Sequence, residues 1–359
     1  MKSHTQTNRS SKHHPFPSVP FLFSLYTYYL WFSISFQFQF QPIQSFSFPQ
    51  NLNLSPLERI AFQSRLSKIQ DQVISDFPNS ISSQGDSSTT TNNHNNQKEK
   101  DISRDLVLLF PGAGGPDVLT TELRNVIQQC DLDQNIRSQM LNYHPNNDHS
   151  NVPPNDTMEE NRRTVLVYDW SNVRGNLFTA AYDGQAVGDA LSQCFHKYYR
   201  TSLKTEDHST NFLFRSLHII GISVGAFAAN QFLESCYQTN LSSNYRITYL
   251  DPFTSRGVTG NNYGRIHFGR LMKHTNTNIE IHAEHYLNTD DPVPSTNDAL
   301  PNCQPFVYDI TNAPERQSFV LPPGETNMHC WPVAYFARYG YESSVRKDDD
   351  HRVVWCFDK

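Results

Sequence analysis

The chain has 359 residues and a formal net charge of −6, from 29 Lys and Arg against 35 Asp and Glu. That length allows one large domain or two small ones. The charges are mixed and no basic run stands out, so a nucleic-acid partner is not expected.

The amino terminus comes first. Lys2, Arg9 and Lys12 precede a stretch without Asp, Glu, Lys or Arg that reaches Glu58, most apolar from Phe21 to Phe36. A basic start before an apolar run of that length predicts a secretory signal over residues 1–50, with a secreted or secretory-pathway product. The run is short for a spanning helix, so a membrane anchor is the alternative. Gln44-Ser-Phe-Ser-Phe-Pro49 resembles the Phe-containing cleavage site of plastid-targeting sequences in algae with complex plastids, which makes the plastid a further alternative. The six cysteines are even in number, and with a signal-like start they favour some disulfides. A pair among Cys303, Cys330 and Cys356 would brace the loop around His329. Asn155-Asp-Thr157 and Asn240-Leu-Ser242 are glycosylation sequons.

Residues 51–103 predict a helix followed by a polar linker. Ser55-Pro56-Leu57-Glu58 is a capping box with Pro at the first helical position, and Leu57, Ile60, Leu66, Ile69 and Val73 follow at helical spacing. Residues 82–103 and 143–162 are crowded with Asn, Ser, Thr, Asp and His, too polar to offset the entropy of ordering, and predict loop or disorder.

A core domain is expected over 104–345, with a charged tail at 346–359. Leu106–Phe110 is an apolar strand ending in Pro111-Gly-Ala-Gly-Gly115, and a helix over Val118–Gln129 follows. Arg163–Trp170 predicts a second strand and Leu177–Tyr199 a long amphipathic helix. Ser216–Ile222 is a third strand and Gly225–Tyr237 an Ala-rich helix. Tyr245–Leu250, Ile279–Leu287 and Pro305–Ile310 are further strands, and His329–Tyr339 a last helix. Strands separated by helices imply right-handed parallel βαβ units, hence an α/β fold with a mostly parallel sheet and helices on both faces. In such sheets the ligand crevice lies off the carboxyl ends of the strands.

Gly221-Ile-Ser-Val-Gly225 sits between a strand and a helix, the context of a nucleophile elbow with Ser223 as nucleophile. Glycine two before and two after the serine relieves a clash with the neighbouring strand and helix. The helix then aims N–H groups at a developing oxyanion. A serine hydroxyl needs a base. The order of such triads is Ser, acid, His, which selects His329 in Asn327-Met-His-Cys-Trp-Pro332; His351 comes too late. Asp251 and Asp291 both follow strands at the crevice, and either can be the acid; Asp290 lies beside the second. The oxyanion hole is expected to use the backbone N–H groups of Val224 and Ala113. His282, Glu284 and His285 lie in a strand pattern and do not form H-E-x-x-H, so no metal site is expected there. No nucleotide-binding glycine motif fits, and no cofactor is expected.

These motifs resemble the pancreatic-type lipases of animals, within the α/β-hydrolase superfamily, over about Leu106 to Tyr339. Val167-Tyr-Asp-Trp170 is similar to that family's V-D-W strand, Gly221–Gly225 to its elbow, and Leu250-Asp-Pro252 to its G-L-D-P acid motif with Tyr249 in place of glycine. Met328-His329 stands at its histidine. The resemblance implies Ser223, Asp251 and His329 as the triad, whereas Asp291-Pro-Val-Pro294 is similar to the acid motif of fungal-type lipases. The family's carboxyl-terminal β-sandwich is not expected here, nor is an amphipathic lid over Cys303–Cys330. The expected function is serine carboxylester hydrolysis, with an ester or lipid substrate and contact with a lipid or membrane interface. A non-catalytic lipid-binding protein on a lipase scaffold and an esterase for non-lipid esters are the alternatives.

Overall fold

Short runs of Leu, Val and Ile supply the strands, and six of them join one parallel sheet. The computed structural model describes residues 56–82, 105–142, 163–202, 212–256, 262–273, 279–293, 295–341, 345–347 and 353–355. The amino-terminal segment, the sequon at Asn155, the two polar stretches beyond these bounds, His351 and Cys356 lie outside them. The chain divides into Met1–Ser67 and Lys68–Lys359. Of the first unit only the opening of a helix is described, α1, Pro56–Ser82.

The sheet strands are β1 (Asp105–Phe110), β2 (Thr164–Val167), β3 (Phe214–Ile222), β4 (Ser242–Leu250), β5 (Glu280–Leu287) and β6 (Val307–Asp309). Their order is β2-β1-β3-β4-β5-β6, each pair parallel. The chain is therefore an α/β protein. Helices α2 (Val118–Asn142), α3 (Leu177–Ser202) and α4 (Gly225–Gln238) make the first three crossovers. Shorter turns, α5 (Tyr263–His267) and a 3-10 turn at Arg270–Lys273, link β4 to β5. The winding direction reverses between β1 and β3, so the crevice opens off the carboxyl ends of those two strands.

Strand alternation sorts the core onto two faces. Val107, Leu109, Ile220 and Ile222 pack with Leu119, Leu123 and Ile127 of α2 and with Trp331, Val333 and Ala334 of α6 (Trp331–Tyr335). On the other face the Phe110 ring lies 5.9 Å from Phe232 of α4, and Phe195 of α3 lies 5.7 Å from the same ring. Phe77 of α1 adds a ring 5.0 Å from Phe195.

Three features depart from the sequence expectations. Helix α2 runs to Asn142 rather than Gln129, since no Gly or Pro stands between Pro116 and Pro145 to stop it. The expected single helix over His329–Tyr339 is broken into a 3-10 turn at Met328–Cys330, α6, and a π-helical turn at Phe336–Gly340. The 3-10 turn is held by Asn327, whose side chain accepts from His329 N–H, and Pro332 then opens α6. The expected bracing disulfide is not formed among the described residues. Cys130, Cys194, Cys236, Cys303 and Cys330 are unbridged, most of them packed as small apolar side chains.

Strands β3 to β5 also bury polar groups where continuous apolar runs are the rule. Arg246 and Glu284 are each almost fully buried and paired at 2.5 Å, and Thr248 Oγ donates to the same carboxylate oxygen. His218 Nε2 lies 2.8 Å from Thr248 Oγ. Two short strands, β7 (Val345–Lys347) and β8 (Val353–Trp355), pair antiparallel within the expected tail region. Among the described residues no helix is long and apolar enough to cross a membrane.

Candidate active site

Ser223 sits between β3 and α4 with φ of 51°, a strained conformation for a non-glycine residue. The two flanking glycines explain how the turn fits. A Cβ on Gly225 would lie 2.3 Å from the Phe110 carbonyl oxygen, and one on Gly221 would lie 2.7 Å from Ala226 Cα. Backbone bonds fix the turn: Ser223 N–H donates to Leu250 O at 3.1 Å, and Phe253 N–H donates to Ser223 O at 3.1 Å.

His329 reaches the serine from the far end of the chain. Its Nε2 lies 2.9 Å from Ser223 Oγ. Its backbone is held by Asn327, whose Oδ1 accepts from His329 N–H at 2.9 Å, and by Asn288, whose Nδ2 donates to Met328 O at 3.1 Å. Trp331 Nε1 donates to Ile310 O at 3.0 Å and anchors the helix that follows.

The two candidate acids converge on one nitrogen. His329 Nδ1 lies 3.1 Å from Asp251 Oδ2 and 2.5 Å from Asp291 Oδ2. The surroundings of the two carboxylates differ. Asp291 also accepts from Val293 N–H at 2.8 Å and from Thr296 Oγ at 2.9 Å. Asp251 follows β4 in a φ 48° turn, and its Oδ1 is buried with no hydrogen-bond partner. Burial pushes the Asp251 carboxyl up to about 8, Asp291 adding to the rise and His329 opposing it. Burial acts on Asp291 too, but hydrogen bonds from His329, Asp251 and Val293 N–H hold it below the usual carboxylate range. Burial also disfavours a charged His329, yet the two acids hold its imidazolium up to about 9. Adjacent buried carboxylates do not both ionise cheaply, so the pair carries one proton, and Asp251 is the member whose surroundings favour keeping it. Asp290 is exposed and paired with Arg316 at 2.7 Å, away from the histidine.

The glycine-rich loop after β1 lies against Ser223: a Cβ on Gly112 would sit 3.4 Å from Ser223 Cβ. Trp170 Nε1 donates to Pro111 O at 2.9 Å and ties that loop to the end of β2. Val224 occupies the cap of α4, where backbone N–H groups have no intrahelical acceptor. Ala113 lies within the turn closed by the Gly115 N–H to Gly112 O bond of 3.2 Å.

Asp251, Asp291 and His329 are also a group of three metal-ligand residue types with donor atoms within 4.8 Å of one another. Both carboxylates already hydrogen-bond the same ring nitrogen, so that nitrogen carries a proton and the set does not fit a cation. Glu284 is taken up by Arg246, and the His285 ring accepts from Leu300 N–H at 3.3 Å on the other face of the sheet.

Three supporting residues had no role in the sequence reading, Asn288, Thr296 and Asn327, and Trp170 entered it only through the V-D-W resemblance. Asn327 had a legible signal, an Asn two residues before a helix-opening histidine. Trp170, Asn288 and Thr296 bond groups outside their own motifs, and nothing local marks Asn288 or Thr296. Comparison with known proteins adds no relative to this picture: no family model, no curated protein and no solved structure matches the chain.

Proposed function

We propose that the chain is a serine carboxylester hydrolase of the α/β-hydrolase type, with lipid esters as the expected substrates. The observation that carries the reading is Ser223 Oγ 2.9 Å from His329 Nε2, on a turn with φ of 51° that opens a helix. A strained serine aligned on an imidazole is what nucleophilic acyl transfer requires.

In this reading Ser223 Oγ attacks the ester carbonyl while its proton passes to His329 Nε2. Asp291 stays ionised, holds the Nδ1–H tautomer and stabilises the imidazolium. Asp251 keeps its proton and hydrogen-bonds Asp291. The N–H groups of Val224 and Ala113 hold the oxyanion. Collapse of the tetrahedral intermediate releases the alcohol, which takes the proton from Nε2. Water then attacks the acyl-enzyme with His329 as base, and the acid leaves. This reading differs from the resemblance, which favours Asp251 as the ionised acid. It is supported by the three hydrogen bonds to Asp291 against the bare second oxygen of Asp251.

A fluorophosphonate probe tests the reading. Phosphonylation of Ser223, mapped by mass spectrometry and lost in Ser223→Ala, is expected. A folded chain that hydrolyses esters without labelling at Ser223 overturns it.

A further inference from the structure

A guanidinium is buried near the elbow with two of its three nitrogens lacking a hydrogen-bond partner among the described residues. Arg256 is 6% exposed, and its Nε and Nη2 are sealed from solvent and donate to nothing. Its Cζ lies 4.5 Å from the centre of the Tyr182 ring and 4.2 Å from that of Tyr263. The two rings offer the cation π contact, while Nε and Nη2 have no hydrogen-bond acceptor among the described residues. Nε–H and one N–H of Nη2 form a single edge of the guanidinium and point the same way. Their spacing matches two oxygens of a carboxylate or phosphate. Burying charged donors without acceptors is costly, and such an arrangement calls for an acceptor that the described protein atoms do not supply.

Among the described residues no carboxylate forms an ion pair with Arg256. Glu234 pairs with Arg270 at 2.7 Å, and Asp298 with Arg265 at 3.1 Å. His267, stacked 4.1 Å from Tyr263, contacts Arg270 through Nδ1. The position of Arg256 ties it to the catalytic crevice. Phe253, three residues earlier, bonds the Ser223 carbonyl, and three residues span at most about 11 Å. Thr254 Oγ and Ser255 N–H bond Ser295, next to the Thr296 that bonds Asp291. Tyr263 stacks 6.0 Å from Phe227 in the first turn of α4.

We propose that Arg256, held against the rings of Tyr182 and Tyr263, is an anion-recognition site that takes a phosphate or carboxylate group carried by the ester substrate. Its assignment to the substrate rests on the serine-hydrolase reading; anion binding itself does not. The test therefore separates the two. Inorganic phosphate and acetate are titrated calorimetrically, at fixed ionic strength, into the full chain, Arg256→Gln and Arg256→Lys, with melting curves to verify folding. Phosphate or acetate affinity is expected to fall roughly tenfold or more in Arg256→Gln, as for loss of hydrogen bonds to a charged group. Arg256→Lys keeps the charge and loses the paired edge, so it falls by less; it carries the test if Arg256→Gln does not fold. Two selectivity ratios in kcat/KM identify the source of the anion: dihexanoylphosphatidylcholine over dihexanoylglycerol, and p-nitrophenyl hydrogen succinate over p-nitrophenyl butyrate. The ratio that collapses in the Arg256 variant names phosphate or carboxylate. Equal anion binding by all three proteins, or unchanged ratios, overturns the proposal. If the wild type hydrolyses no ester while anion binding still depends on Arg256, the hydrolase reading falls and the anion site stands.

Discussion

At the residue scale, one imidazole between two carboxylates is the unusual element. If Asp291 is the ionised acid, Asp291→Asn offers the ring a donor where it needs an acceptor, and kcat is expected to fall on the order of 10⁴-fold. Asp251→Asn replaces a carboxyl that already carries a proton with an amide that can still donate to Asp291, so a loss below about tenfold is expected. Steady-state kinetics of the two folded variants decide between them, and the reverse pattern would return the role to Asp251. The pH profile is a second measure. The proposed reaction needs neutral His329, whose imidazolium the acids hold up to about 9 from an ordinary 6.5. Activity is therefore expected to rise with pH toward that range. Removing the Asp251 carboxyl withdraws a charge that would support the imidazolium once Asp251 ionises, so the rising limb of kcat/KM should move to lower pH in Asp251→Asn. An unmoved limb would mean that Asp251 does not couple to the histidine.

At the element scale, the elbow works because the strand, the turn and the helix touch at backbone distance. Gly225→Ala would drive a Cβ to 2.3 Å from the Phe110 carbonyl oxygen, a backbone atom of a central strand that has nowhere to go. Destabilisation of at least about 3 kcal/mol is expected, read as a drop in the denaturant midpoint. An Ala variant that unfolds at the same midpoint would mean that the elbow and β1 lie further apart than described. The same elements explain how much was legible. The G-x-S-x-G spacing and the apolar runs around it were enough to expect the elbow, because its chemistry is local. The break in the last helix was not, since apolar spacing continues through Trp331 and Phe336 while the 3-10 turn at Met328–Cys330 is imposed by Asn327.

At the scale of the whole molecule, the sheet carries a buried ion pair between β4 and β5. Glu284 is held down to about 2: burial opposes its charge, but Arg246 beside it outweighs burial, with help from His282 and Thr248. A depressed carboxyl contributes stability above its unfolded value, and that contribution is lost as pH falls through the folded one. Acid titration of stability is thus expected to show a loss of about 3 kcal/mol between roughly pH 4.5 and pH 2 that is missing in Glu284→Gln. Glu284→Ala strands Arg246 and is expected to cost about 3–5 kcal/mol, measured by urea unfolding. The amino-terminal segment poses a separate question of destination. If residues 1–50 direct secretion, sequencing the mature protein should find an amino terminus near residue 50; a cytosolic product beginning at Met1 would refute that reading.

The α/β architecture, the alternation of strands with helices and the identities of Ser223 and His329 as candidates were determined by sequence alone. Each depends on a local pattern: apolar runs of strand length, helical spacing between them, and paired glycines around a serine. Only the tertiary structure tells the surroundings of the two candidate acids apart. Asp251 and Asp291 both end strands before a proline, and residue order treats them alike. What separates them is a hydroxyl from Thr296 and an amide from Val293 on one side, and an unpartnered buried oxygen on the other. Arg256 was hidden for the same reason. Nothing in Thr254-Ser-Arg256 foretells that Tyr182, 74 positions earlier, will stack on its guanidinium, because burial and pairing are set by which elements the sheet brings together.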